Sequence, residues 1–78
     1  MTNIEKYNKA FIEIFDVKEA DLPKLTYQSV VLWDSMGHMA LITELEMVFN
    51  IMIETDDIID FNSYKKGFEI LKRYGIGL

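Results

Sequence analysis

The chain has 78 residues, half of them apolar, which is enough for one domain with a small hydrophobic core over residues 1–78. It contains no cysteine, so disulfides, thiolate metal sites and a thiol nucleophile of its own are excluded. Thirteen acidic residues against eight basic ones give a net charge of −5, which disfavours binding to nucleic acid. The N-terminal residues carry scattered charges and no long apolar run, so we expect no signal peptide, no insertion into a membrane and a cytoplasmic location.

The first predicted helix follows Thr2, which starts a capping-box pattern, and covers residues 3–15. Helical periodicity breaks down over 16–33, where Pro23 is expected to stop any helix before it. We therefore predict a long apolar loop that is pinned across the other helices, because long free loops are uncommon in small domains. A short strand at 29–32 is the competing prediction for the last part of this loop.

The second predicted helix begins at Ser35, with Asp34 as its N-cap, and continues through apolar residues at helical spacing. Asn50 is the predicted end of this helix, because asparagine tolerates the left-handed backbone of a helix C-terminus. Thr55 is predicted to be the N-cap of a short third helix.

The last predicted helix covers about 64–74, capped by Ser63 and stopped by Gly75. The sequence thus predicts an all-α fold, a four-helix bundle of three longer helices and one short helix 3, with a long loop between helices 1 and 2. Such a bundle leaves no room for a catalytic cleft, so we expect the function to lie on the surface.

Charge is unevenly distributed along the chain. Between Tyr27 and Tyr64 there is no lysine or arginine, and the charged residues are Asp34, Glu44, Glu46, Glu54, Asp56, Asp57 and Asp60. An acidic middle section favours partners with basic surfaces, although a solvated acidic surface without a partner would have the same composition.

Residues 33–53, WDSMGHMALITELEMVFNIMI, resemble the segment of acyl carrier proteins around the modified serine. The shared features are an Asp-Ser-Met start, a helix with apolar residues at fixed offsets, a Leu-Glu pair, an aromatic residue, and Ile-x-Ile before a short acidic helix. The resemblance extends over residues 25–75. It implies that Ser35 carries a 4'-phosphopantetheine arm, whose thiol holds acyl groups as thioesters. It also implies that Asp34 caps the helix and is recognised by phosphopantetheinyl transferase, and that the chain is a carrier without catalytic activity of its own.

The resemblance implies two further sets of residues. Contacts with the basic docking patches of the transferase and of acyl-loading and acyl-accepting enzymes are expected at Met36, Met39, Glu44, Glu46, Asp56, Asp57 and Asp60. An apolar acyl pocket between helices 2 and 3 is expected to be lined by Leu41, Leu45, Phe49, Ile53, Ile58 and Phe68. We expect a monomer with no metal site, since the aspartates of helix 3 lack the spacing of a calcium loop.

The second helix departs from the family pattern in its charge. Many fatty-acid carriers have acidic residues at the places that Gly37, Ala40, Met47 and Val48 occupy here. The resemblance to carriers of general fatty-acid synthesis is weakened by this difference. Trp-Asp-Ser-Met followed by Gly37 instead resembles dedicated carriers of one specialised pathway, including pathways that use short hydroxy- or aminoacyl units.

The same residues allow other interpretations. Asp34, Ser35 and His38 superficially resemble a catalytic triad, but three near-consecutive residues of one helix do not easily align as acid, nucleophile and base. We interpret His38 as exposed or in contact with a partner, and Trp33 as packing the loop onto helix 2. The alternative function is an unmodified acidic helical module that binds a partner protein, in which Ser35 is only a helix-start residue.

Overall fold

The computed structural model describes all 78 residues, and the chain is all-helical, as predicted. The elements in chain order are α1 (Asn3–Phe15), a 3₁₀ helix (Glu19–Lys24), α2 (Ser35–Phe49), α3 (Thr55–Asp60) and α4 (Tyr64–Arg73). Residues 29–32 form bends and a turn, so the competing prediction of a strand there was wrong. None of the helices is long and apolar enough to cross a membrane.

Local capping interactions fix most of the helix ends. The Thr2 hydroxyl accepts the N–H of Glu5, and the Glu5 carboxylate accepts the N–H of Thr2, which confirms the capping box. These hydrogen bonds hold the pKa of Glu5 below its ordinary value. Ser63 accepts the N–H of Lys66 and caps α4, and Asn50 ends α2 with a φ of 53°. These predicted helix ends are confirmed.

Helix α3 begins one residue earlier than predicted. Its N-cap is Glu54, whose side chain makes no capping bond, and Thr55 is the first helical residue, so the prediction of Thr55 as N-cap was wrong. The N–H of Glu54 donates to the hydroxyl of Tyr74, the C-cap residue of α4, at 2.8 Å. A tertiary hydrogen bond therefore sets the start of this helix, and no local pattern could have predicted it.

The connection between α1 and α2 is not an irregular loop throughout. Pro23 lies inside the 3₁₀ helix, where its fixed φ is tolerated. The prediction that Pro23 stops any helix before it was therefore wrong. Leu22 and Leu25 on this segment are buried in the core. The N–H of Tyr64 donates to the Leu25 carbonyl at 3.0 Å, and the N–H of Tyr27 donates to the Asn62 carbonyl at 2.8 Å. The connection is thus pinned to the start of α4, as predicted.

Aromatic side chains form the centre of the core. The rings involved, each within 4.8–6.5 Å of at least one other, are Tyr7, Phe11, Phe15, Trp33, Phe61 and Tyr64. They join α1 to the connection, to the end of α3 and to α4. The hydroxyl of Tyr7 is buried with its ring and donates to the Tyr64 carbonyl at 2.6 Å. Gly67 makes room for it, because a Cβ there would lie 1.9 Å from that hydroxyl oxygen.

Alkaline pH is expected to destabilise the chain through Tyr7. Burial raises the pKa of this phenol far above its ordinary value, and the adjacent Tyr64 adds to the shift. Because the folded-state pKa is above the unfolded one, this contribution to stability is fully present below a pH of about 10 and is lost as the pH rises. The free energy of unfolding, measured by urea titration, should fall by about 1.4 kcal/mol per pH unit above that point.

The matched variants for this experiment are Tyr7→Phe and Tyr27→Phe. Tyr7→Phe should make the alkaline decline less steep, the remainder coming from Tyr64 and Tyr74, whose pKa values are also raised, whereas Tyr27→Phe, which removes the hydroxyl of a partly exposed ring, should leave the decline unchanged. An equally steep decline in Tyr7→Phe would contradict the assignment.

Candidate functional site

Ser35 is the first residue of α2, and it is exposed to solvent. The preceding residue, Asp34, is the N-cap, and its Oδ1 accepts the N–H of Gly37 at 2.8 Å, as predicted for a capping aspartate. The N–H groups of Ser35 and Met36 have no intrahelical acceptor, because the first turn of a helix leaves them unpaired. Together with the helix dipole, they make this position favourable for a phosphate group.

A cleft of about 340 Å³ opens beside Ser35, between α2 and α3. It is lined by Tyr27, Ser35, His38, Met39, Ile58, Ile59, Phe61 and Asn62. Most of these side chains are apolar, and the cleft is open to solvent. An exposed hydroxyl thus adjoins a largely apolar surface that can cover a small group.

His38 bridges the two sides of the cleft. The indole Nε1–H of Trp33 donates to His38 Nδ1 at 3.0 Å, and His38 Nε2 lies 2.7 Å from the carbonyl oxygen of Ile58. Because Nδ1 is the acceptor, Nε2 carries the proton and donates to Ile58. Both ring nitrogens are occupied, so the imidazole is not placed as a base for Ser35. The ring is half-buried and held within the fold, so the interpretation of His38 as plainly exposed was wrong, while contact with a partner stays a prediction.

Trp33 is fully buried next to the site. Its ring stacks on Phe15 at a centroid distance of 4.8 Å and meets Phe11 edge-on at 5.6 Å. Trp33 thus packs the connection, as predicted, but mainly against α1, and it reaches α2 only through His38. Its indole also sets the orientation of His38, which the sequence did not indicate.

Of the six residues predicted to line an acyl pocket, the cleft contains one, Ile58. Leu41, Leu45 and Ile53 are core side chains with at most 4% exposure. Phe49 packs against the core and is partly exposed. The sixth, Phe68, lies away from the cleft.

Phe68 packs against aromatic rings of α1 and α4. Its ring lies 5.5 Å from Tyr7 and 5.2 Å from Tyr64, and it borders a separate depression near the C-terminus. The structure therefore does not bring the predicted set together around one cavity.

The residues predicted to contact partners differ in their surroundings. Met36 and Met39 are 82% and 48% exposed, unusual values for methionine, and both lie close to Ser35 in α2. Asp56 and Asp60 of α3 are also exposed. These four side chains are therefore exposed and available for contact with a partner.

The two glutamates of α2 have other neighbours. Glu44 borders a shallow depression together with Lys6 and Lys9 of α1. Glu46 accepts the N–H of Ile53 at 2.9 Å and so stabilises the turn after α2. Each carboxylate has a basic or hydrogen-bonding neighbour within the chain.

Asp57 joins α3 to α4. Its Oδ1 accepts from Arg73 at 2.6 Å and its Oδ2 accepts from the Tyr74 hydroxyl at 2.6 Å. Burial, helped by the bond to Asp57, raises the pKa of Tyr74, which keeps this donor protonated. The carboxylate is only 14% exposed, so it serves the packing of the two helices.

Four cleft residues were absent from the sequence-based prediction: Tyr27, Ile59, Phe61 and Asn62. Tyr27 and Asn62 meet because the N–H of one donates to the carbonyl of the other, a pairing with no local signal. Ile59 and Phe61 could have been noticed as apolar residues at the end of the short acidic helix. No three histidine or carboxylate side chains come together as a metal site would require.

Comparison with known proteins does not identify a relative: no family model, no curated protein and no solved structure matches the chain. The fold and the site define the class only as an all-helical domain with an exposed serine at a helix start, beside a small apolar cleft.

Proposed function

We propose that the chain is an acyl carrier protein whose Ser35 receives 4'-phosphopantetheine. The observation that carries the proposal is the exposed Ser35 at the first turn of α2, next to the cleft of about 340 Å³. The proposal includes the four-helix arrangement of that family, with α1, α2 and α4 as the longer helices and α3 as the short one.

The modification would be a phosphoryl transfer from coenzyme A. Ser35 Oγ forms a bond to the β-phosphorus, the pyrophosphate P–O bond breaks, and adenosine 3',5'-bisphosphate leaves. The hydroxyl proton passes to a base of the transferase, since His38 has both nitrogens occupied. The chain itself contributes an accessible hydroxyl and an electropositive helix start, which Asp34 holds in place through Gly37.

The residues around Ser35 fit this group. The unpaired N–H groups of Ser35 and Met36 suit the negative phosphodiester, and the cleft offers apolar cover through Met39, Ile58 and Ile59. When bound, the arm supplies a thiol that holds an acyl group as a thioester. The absence of cysteine means that no protein thiol competes for that acyl group.

The proposed partners are phosphopantetheinyl transferase and the enzymes that load and accept the acyl group, in the cytoplasm, with the carrier as a monomer. Basic patches on these enzymes would meet Asp56 and Asp60, and an apolar contact would meet Met36.

We also propose that the carrier serves a specialised pathway. Gly37 does not bear on this point, because a Cβ there would lie 1.8 Å from the Leu32 carbonyl oxygen, so packing excludes any side chain. Met47 supports the proposal of a specialised pathway, because it is exposed and uncharged at a place where many fatty-acid carriers have an acidic residue.

The test is intact-mass spectrometry of the purified chain after incubation with coenzyme A and a broad-specificity phosphopantetheinyl transferase. We expect the mass to rise by one phosphopantetheine group, and no rise in Ser35→Ala. Thr43→Ala, which removes an exposed hydroxyl elsewhere on α2, is the matched control and should be modified like the wild type. No added mass, or addition that survives Ser35→Ala, would favour the unmodified interaction module instead.

A further inference from the structure

The imidazole of His38, held by two hydrogen bonds, closes the bottom of the cleft, and we call this ring with its partners Trp33 and Ile58 the floor of the cleft. Trp33 on one side and the Ile58 carbonyl on the other are connected through the imidazole, over distances of 3.0 Å and 2.7 Å. The ring also stacks at 6.2 Å on the Trp33 indole and meets Tyr27 and Phe61 edge-on. Any group that entered more deeply between α2 and α3 would have to displace this ring.

The structure has no cavity between α2 and α3 beneath His38. Leu41 and Leu45 have no exposed surface, and no cavity of the chain is lined by these residues, by Phe49 or by Ile53. Displacing His38 would break two hydrogen bonds, and it would leave the buried indole N–H of Trp33 without an acceptor. A long alkyl chain therefore has no ready space between the helices.

We propose that His38 is a specificity-determining residue that restricts this carrier to short acyl groups. This inference rests on the proposed carrier function. A short acyl group can lie in the open cleft against Met39, Ile58 and Ile59 without disturbing the floor. A long one finds no enclosed space beneath His38, so its additional methylene groups stay at the open surface and gain little burial.

The test compares two linear acyl groups on the wild-type chain. Butanoyl- and octanoyl-coenzyme A are each supplied to the broad-specificity transferase, and mass spectrometry confirms that Ser35 carries the acylated arm. Thermal unfolding is then compared with that of the chain carrying the unacylated arm. Octanoyl should change Tm by less than about 1 °C and should stabilise the chain no more than butanoyl does, although it offers the larger apolar surface.

His38→Ala removes the floor and should reverse this result. In this variant the octanoyl group can enter between α2 and α3, and it should raise Tm by about 4 °C or more over the same variant with the unacylated arm. His38→Gln supplies one acceptor and one donor in place of the imidazole and should behave like the wild type. Thr43→Ala, on the exposed side of α2, is the matched control and should also behave like the wild type.

A second measurement does not depend on any variant. The indole N–H resonance of Trp33, followed by nuclear magnetic resonance, should stay in place when octanoyl is loaded on the wild-type chain. A displaced Trp33 resonance, or octanoyl stabilisation as large in the wild type as in His38→Ala, would overturn the inference while leaving the carrier function intact. Failure of both acyl groups to attach to Ser35 would instead remove the proposed function.

Discussion

Replacing Gly37 by alanine is expected to lower the free energy of unfolding by about 2–3 kcal/mol. A Cβ at this position would lie 1.8 Å from the Leu32 carbonyl oxygen and 3.3 Å from Cε1 of Phe15. The first contact is with backbone, which cannot turn aside as a flexible side chain would. In an unconstrained helix the same substitution would raise the free energy of unfolding by about 0.5–1 kcal/mol. A decrease would therefore show that the contact with the connection outweighs the helix propensity of alanine. Urea unfolding with a constant m-value would measure the loss.

The matched control for this substitution is Gly77→Ala. No atom lies within 4 Å of a Cβ built at Gly77, so the free energy of unfolding should hardly change. A Gly37→Ala variant as stable as the wild type would mean that the connection does not lie against the first turn of α2. Because Ser35 is in the same turn, Gly37→Ala should also slow the modification of Ser35 by the transferase.

The helix starts could be predicted from sequence because their interactions are local. Thr2, Asp34 and Ser63 each accept an N–H from the residue three positions later, so a short pattern contains both partners. The left-handed end of α2 at Asn50 is local in the same way. Ser35 could therefore be placed at an exposed helix start before any tertiary contact was known.

The cleft could not be predicted in this way, because its walls come from distant parts of the chain. Tyr27 reaches it through a backbone pairing with Asn62, and His38 closes its floor through Ile58. The sequence-based acyl pocket instead used apolar residues of α2, such as Leu41 and Leu45, which the fold places in the core. Periodicity separates buried from exposed faces, but it does not tell a lining residue from a core residue.

Charged residues show the same limit. Glu46 and Asp57 were predicted to face partners because they lie in an acidic section, yet each has a specific hydrogen-bonding partner inside the chain. A sequence reveals the sign of a charge but not its neighbours. Asp56 and Asp60, which remain exposed, are the carboxylates of α3 that a basic partner can reach without competing with an internal bond.

Replacing Trp33 by alanine is expected to cost about 3–5 kcal/mol. The ring is fully buried between Phe11 and Phe15, so its removal leaves a large cavity at the junction of α1 and α2. It also leaves His38 Nδ1 without its donor. A chain of this length has a total stability of about 4–12 kcal/mol, so a large part of the folding free energy would be lost. Thermal and urea unfolding would both register it.

Trp33→Phe separates packing from the indole hydrogen bond. Phenylalanine keeps an aromatic ring against Phe15 but cannot donate to His38, so we expect an intermediate loss of about 1–3 kcal/mol. Val31→Ala, at a side chain that is 93% exposed, should leave stability unchanged. If Trp33→Ala were as stable as Val31→Ala, the connection would not be anchored by this ring. If Trp33→Phe released His38 from Ile58, the floor of the cleft would open, and an octanoyl group on Ser35 should then stabilise this variant as it does His38→Ala.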